Sequence, residues 1–440
     1  MNVQFTENQA QNPISQQKYR KFYAVLEEEL LPAMGCTEPI AVAYAAALAR
    51  DALGAYPEGA EISVSGNILK NVKSVVVPNT GGLRGVAAAV AAGIAAGNAA
   101  RKLEVLSEIT ADDVKKIERC LNECRFTVAQ SRSGCVFDIG VRLFCGENES
   151  FVRIEGRHTN VVAIEKNGKS VRDVGENGRE TGEETFSDRS FLTVESIYEF
   201  AQAAGVSRLE PLVGRQIDYN TKIAEEGLKN EYGACVGRVL LSSFGSGVHN
   251  LARATAAAGS DARMNGCGLP VVIVSGSGNQ GMAASLPVAV YAKELGASRE
   301  KTLRAVALSD LITVHLKTGI GRLSAYCGAV SAGCGAGAGV CYLCGGGAKE
   351  ISETLSNALA IDSGIICDGA KSSCAAKIAS AVDAGLLGME MSRRGKKFMG
   401  GDGILERNVE TTIRNVGDIA RVGMRETDEE IIRLMIKSCN

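Results

Sequence analysis

Three features of the sequence predict an α+β fold. Between residues 124 and 167 the runs CRFTVAQ, CVFDIGVRLFC, ESFVRIEG and TNVVAIEKNG alternate apolar and polar residues between turns, the pattern of an antiparallel sheet with one wet face. Beyond residue 190 nearly every segment carries helical spacing. Those helices are rich in Ala and Gly, and the chain holds 51 Gly and no Trp, which suits small-residue helices packed closely. The charged, glycine-rich stretch at 167–190 separates the two regions. The expected organisation is N-terminal helices over 1–58 packed on a helical domain, an α+β subdomain with an antiparallel sheet over 59–185, and a large all-helical domain over 186–440.

Taken in order, residues 1–15 form a polar tail, and Tyr19, Phe22, Leu26 and Leu30 mark a helix that stops near Pro32. The loop MGCTEP follows, and Pro39 occupies the first turn of the next helix, so that Cys36 sits just ahead of a helix N-terminus. EISVSGNILKN and SVVVPNTGG predict short strands ending in polar turns, with Asn67, Lys70, Asn71, Asn79 and Thr80 at the strand ends. An Ala-rich helix follows, and Thr110 with Asp113 predicts a capped helix to Asn122. Cys120, Cys124, Cys135 and Cys145 are expected to pack.

The net charge of −2, with scattered basic residues, leaves no electrostatic footprint for nucleic acid. No charge falls between Arg322 and Lys349, but Gly, Ala, Ser and Cys contribute little transfer energy, so that stretch predicts a buried helix and no membrane span. The N-terminus lacks a signal pattern and points to the cytoplasm, where the 14 cysteines serve packing, metal binding or catalysis rather than disulfides.

Six of those cysteines lie between Arg322 and Cys374. Cys327, Cys334 and Cys341 repeat every seven residues, so on one helix neighbours stand roughly 10 Å apart along the axis, too far for two of them to grip one compact cluster. Cys327, placed after Gly319 and Gly321 at a helix start, is the best of the three. Cys367 precedes the Asp368-Gly369 turn, and Cys374 lies in the first turns of the helix that follows. Three convergent thiolates, Cys327, Cys367 and Cys374, suit a [4Fe-4S] cluster with one iron left open.

Other motifs carry less. GSGNQG, Gly276–Gly281, follows a strand-like run and precedes a helix, but the second strand and acid of a dinucleotide site are missing. Its amides, with Ser277, Asn279 and Gln280, instead suit a carboxylate, or simply a tight turn. Cys341-x-x-Cys344 lacks the second pair of a zinc site, the three histidines lack a serine partner, and Cys439 is within reach of a cluster or an ordinary surface thiol. Cys36 has the setting of a thiol with a lowered pKa, or of a buried helix-entry residue.

MGCTEPIAVAYAAA, SGNILKN, VPNTGG, SDARMNG, SGSGNQG, LKTGIGRLSAYCG and ICDGAKSSC together resemble the bacterial and archaeal L-cysteine desulfidase family, itself similar to the alpha chain of iron-sulfur L-serine dehydratases. The likeness runs from about Cys36 to about Asp383. It implies an oxygen-sensitive [4Fe-4S] lyase, independent of pyridoxal phosphate, that converts L-cysteine to pyruvate, ammonia and sulfide. By the family's pattern Cys327, Cys367 and Cys374 hold the cluster and Cys36 is the catalytic thiol. The dehydratases space their last cysteine pair more widely than Cys367 and Cys374, which leaves Cys334 as a reserve ligand. The substrate carboxylate falls to Asn67, Lys70, Asn71, Asn79, Thr80 and the GSGNQG turn, while Lys317 and Lys371 offset the charge of cluster and thiolates. The expected partner is a small amino acid, L-cysteine or L-serine, with a homodimer as an open assembly. A metal-binding redox sensor using the same cysteines is the reading from another class.

Overall fold

The computed structural model describes residues 13–171, 187–321 and 323–437. Most of the domain boundary expected at 167–190, and the Cys439 thiol, lie outside the described residues. The α+β class holds: a six-stranded sheet and a two-stranded one accompany a large body of helices.

The sheet has six strands in the order 125–130, 59–64, 138–145, 148–155, 161–166 and 169–170. All neighbours run antiparallel except the first two, which are parallel, so the sheet is mixed rather than wholly antiparallel. The helix Ala111–Glu123 returns the chain so that the strand following it lies alongside 59–64 in the same direction. Its start is the capping box expected from Thr110 and Asp113. In the strand Asn148–Glu155 buried residues alternate with less buried ones, as a sheet packed on one face requires.

One expected strand is cut short and another is absent. EISV lies in the strand 59–64, but GNILKNV is the helix Gly66–Val72, because Ser65 caps it by accepting from the Ile68 amide at 3.4 Å. SVVVPNTGG is a loop held by a single bridge between Val76 and Arg84, with Asn79 in the left-handed region at φ 60°. The N-terminal stretch also divides. The first helix, Pro13–Glu29, stacks Phe22 on Phe200 of the helical body, whereas the helix Thr37–Leu53 lies on the sheet and on the helix Val86–Ala96. Cys135 is exposed in a loop rather than packed in a strand, while Cys120 and Cys124 are buried.

At the centre of the helical body runs Gly328–Leu343, buried on every side. Its glycines let neighbours reach its backbone. A Cβ on Gly333 would lie 2.2 Å from the Ala381 carbonyl oxygen, and one on Gly335 2.5 Å from that of Ser309. Gly385, in the helix Cys374–Arg393, meets the Gly333 carbonyl oxygen at 2.0 Å in the same sense. The Ala and Gly bias therefore packs helices at near-backbone contact. Among the described residues no helix is long and apolar enough to cross a membrane.

Candidate functional site

A short antiparallel contact clamps together the two loops that carry Cys327 and Cys367. Tyr326 and Ile366 form an isolated bridge, with the Cys327 amide donating to the Ile365 carbonyl at 3.0 Å and the Cys367 amide to that of Ala325 at 2.6 Å. Cys327 thereby becomes the residue ahead of Gly328–Leu343, and Cys367 is set beside it. Gly369, at φ 94°, turns the chain back so that Cys374 opens its helix; any side chain there would strike the Lys70 carbonyl at 2.2 Å. Cys327, Cys367 and Cys374 all line one cavity of about 1400 Å³, together with Cys36.

Within it Cys327 and Cys367 share a hydrogen bond, which drives their pKa values apart. Cys367 is held well below the ordinary thiol value, first because Cys327 donates to it and then by the Lys70 and Lys377 ammonium groups. Cys327 is pushed up by the same pairing and by burial, and Cys374 by burial. Lys70, 2 % exposed, donates to the Cys367 carbonyl at 3.3 Å and to Asp428 at 2.5 Å. Lys377 reaches the Ile366 carbonyl and Asp368, both from the wall of the cavity.

Across the cavity Cys36 is buried at the cap of Thr37–Leu53 and packs with Val75, Met264 and Cys374. Its thiol donates to Glu38 at 3.1 Å, and Thr37 donates to the same carboxylate oxygen at 3.2 Å. The lowered pKa expected for Cys36 is not what these surroundings impose. Burial and the Glu38 charge push the thiol well up, against a smaller opposing pull from Arg263, and outweigh the helix dipole.

Of the other sequence candidates, Asn67, Lys70, Asn71, Ser277, Asn279, Gln280 and Lys317 line the cavity. Asn79, Thr80, Lys371 and Cys334 do not. Asn79 donates to the Leu106 carbonyl and Thr80 to that of Val77, so both hold their loop in shape. Lys371 is tied to Asp368 yet still acts on the charge of Cys374, and Lys70 and Lys377 add theirs at Cys367. Cys334 is buried among helices. The GSGNQG turn leads not from a parallel strand but from Pro270–Val272, a three-residue strand antiparallel to Pro32–Met34. Gly281 lets its helix approach the Val272 carbonyl, where a Cβ would sit at 2.0 Å, so the glycine serves packing rather than a phosphate.

Sequence reasoning missed Glu38, Arg263, Ser275 and Lys377 as cavity residues. The available signal was a charge inside a small-residue run: Arg263 ends AAAGSDAR, and Glu38 follows Cys36 by two. Among the described residues, buried polar atoms of the cavity lining without a hydrogen-bond partner include Asn67 Oδ1, Arg263 Nε, Ser275 Oγ and Gln280 Oε1. Buried polar groups of this kind call for a partner.

Among the described residues no three His, Cys, Asp or Glu side chains gather tightly enough for a single metal ion. The donor set fits a wider group, because a four-iron cluster offers separate irons to separate thiolates and needs only to be ringed by them. Three thiols from three chain segments, one already favoured as thiolate and two with ammonium groups close by, meet that requirement.

Residues 100–433 match the family model described as serine dehydratase alpha chain. The chain is 52 % identical to a UPF0597 protein of Desulfitobacterium hafniense over 96 % of this chain and 98 % of that one. It is 49 % identical to a UPF0597 protein of Lachnoclostridium phytofermentans over 95 % and 100 %, and 42 % identical to one of Treponema denticola over 96 % and 99 %.

Proposed function

The chain belongs to the serine dehydratase alpha chain family, and from that premise we propose that it is a [4Fe-4S]-dependent, pyridoxal-phosphate-independent lyase that eliminates sulfide from L-cysteine. The observation that carries this reading is the placement of the Cys36 thiol, hydrogen-bonded to Glu38, in the same cavity as Cys327, Cys367 and Cys374. A proton-moving group and a sulfur-rich ligand set facing one space are what an elimination needs, and a redox sensor has no use for the first.

A cluster held by Cys327, Cys367 and Cys374 would supply a Lewis-acidic iron to the β leaving group. Glu38 holds the Cys36 sulfur in place through their hydrogen bond, and Cys36, in its thiolate form, takes the proton from the substrate Cα. The Cα–H electron pair forms the Cα=Cβ bond and the Cβ–S bond breaks, releasing hydrosulfide and 2-aminoacrylate. The aminoacrylate becomes an imine and takes up water to give pyruvate and ammonia. Asn67, Asn71 and the start of the helix Gly278–Glu294 present polar groups to the substrate.

The description of the matching family favours a second reading, L-serine with hydroxide as the leaving group. Anaerobically reconstituted protein offered both amino acids in competition decides between them: sulfide release faster than pyruvate formation from L-serine upholds the first. Cys36→Ala is expected to keep its iron and lose turnover, and Cys367→Ser to lose iron. Colourless, iron-free wild-type protein after reconstitution overturns both readings.

A further inference from the structure

We propose that Arg263 is the anchor for the carboxylate of the ligand, so that this site selects free α-amino acids over their amides or esters; the choice of an amino acid rests on the lyase reading above. Arg263 stands in the last turn of the helix Val248–Met264, at the end of a run of buried alanines. An arginine there is ordinarily a surface residue facing the helix dipole. This one is 2 % exposed and turns into the cavity.

Its guanidinium is buried without a compensating acid. It donates from Nη1 to Asn279 Oδ1 at 3.1 Å, its Nε has no partner, and no carboxylate forms an ion pair with it among the described residues. A buried cation left in this state is costly to the empty protein, and the fold nonetheless makes room for it. A Cβ on Gly278 would stand 2.4 Å from Arg263 Nε, so the third position of GSGNQG has to be glycine for the guanidinium to lie across the start of that helix. The same place offers free amides of Gly278–Glu294, a 17-residue helix, and the orphaned hydroxyl of Ser275, which is 5 % exposed. A planar fork with free N–H groups, a hydroxyl and a helix N-terminus form a carboxylate site.

Two further observations fit an amino acid rather than a simple carboxylate. Arg263 and Cys36 line the same cavity and Met264, the residue after Arg263, packs against Cys36, so a carboxylate seated on the guanidinium brings its own Cα toward that sulfur. Gln280 Oε1 and Asn67 Oδ1, both in the lining of this cavity and without a partner, are acceptors for an ammonium group.

Calorimetric binding to the reconstituted Cys36→Ala protein, which removes turnover from the readout, tests the assignment. L-serine is expected to bind about a hundredfold more tightly than L-serinamide, from the loss of a charge-assisted bidentate contact. In the Arg263→Gln background L-serine should fall to the level of L-serinamide while L-serinamide is unchanged, and Arg263→Lys should recover part of the difference. The thermal midpoint of ligand-free Arg263→Gln should equal or exceed that of its parent, because an uncompensated buried charge is gone. L-serinamide binding within threefold of L-serine, on protein with Arg263 intact, overturns the proposal even if the variants fail to fold. Equal weakening of both ligands by Arg263→Gln overturns it too, since that marks a structural residue. Propionate binding that depends on Arg263, with no binding of L-serine or L-cysteine, upholds the anchor and removes the lyase reading. Turnover of L-cysteine by wild type without discrimination between L-serine and its amide does the reverse.

Discussion

Replacing Gly333 with alanine adds one methyl group at the crossing of the two helices that carry the cysteines. The new Cβ would stand 2.2 Å from the Ala381 carbonyl oxygen and 2.4 Å from its carbon. Both are backbone atoms of Cys374–Arg393, so no change of rotamer relieves the clash. To restore contact distance the helices must part by about 1 Å. Overpacking of this kind costs about 1–3 kcal/mol, and alanine's better helix propensity returns up to about 1 kcal/mol, for a net loss of about 1–2 kcal/mol. Cys327 caps one helix and Cys374 opens the other, so the separation reaches the thiols. Urea denaturation should show a lower midpoint with an unchanged slope, and bound iron per chain after anaerobic reconstitution should fall below wild type. Gly319→Ala is the control: its Cβ finds only Gly417 at 3.4 Å, so the midpoint should hold or rise. Gly333→Ala with the stability and iron content of wild type would refute the view that near-backbone contact positions the sulfurs.

Asp261 is buried and accepts from the Gly237 amide at 2.9 Å, and burial pushes its carboxyl up to about 6 from an ordinary 3.8. The folded state therefore binds the proton more tightly than the unfolded state between those values, and stability contributed by protonation is lost as pH rises through about 6. Asp261→Asn should match wild type near pH 4 and exceed it by about 2 kcal/mol at pH 7, read as thermal midpoints; an advantage that grows as pH falls would contradict the sign. Asp428→Asn removes the partner of the buried Lys70, and about 2–3 kcal/mol of local stability should go with it. The helix Arg425–Lys437 should then be cut faster by trypsin, and unchanged cleavage would show that the pair does not hold it. Asn79→Ala should cost about 1 kcal/mol of stability for its left-handed backbone, read as a lower thermal midpoint, and leave the substrate KM as it was. A raised KM would return Asn79 to the substrate site.

The sequence by itself determined much of this protein: the α+β class, the runs that become strands between 125 and 166, the helical second half and the small-residue helix around Cys334. These are local properties, set by periodicity and by caps such as Thr110 with Asp113, and local properties survive without coordinates. The spacing of Cys327, Cys334 and Cys341 likewise ruled out a shared grip, because helix geometry is the same wherever the helix lies. Charge at the site was a tertiary matter. Lys70 and Lys377 join Lys371 in bringing positive charge to the thiols, since which ammonium comes near depends on how the 365–374 loop folds back on Gly66–Val72. The Cys36 pKa reversed for the same reason, its nearest charge being Glu38 and its surroundings dry. Arg263 shows the division most plainly. Its place in the chain is a helix end like any other, and only the packing of two distant segments leaves its guanidinium buried, unpaired and facing the space where the thiols meet.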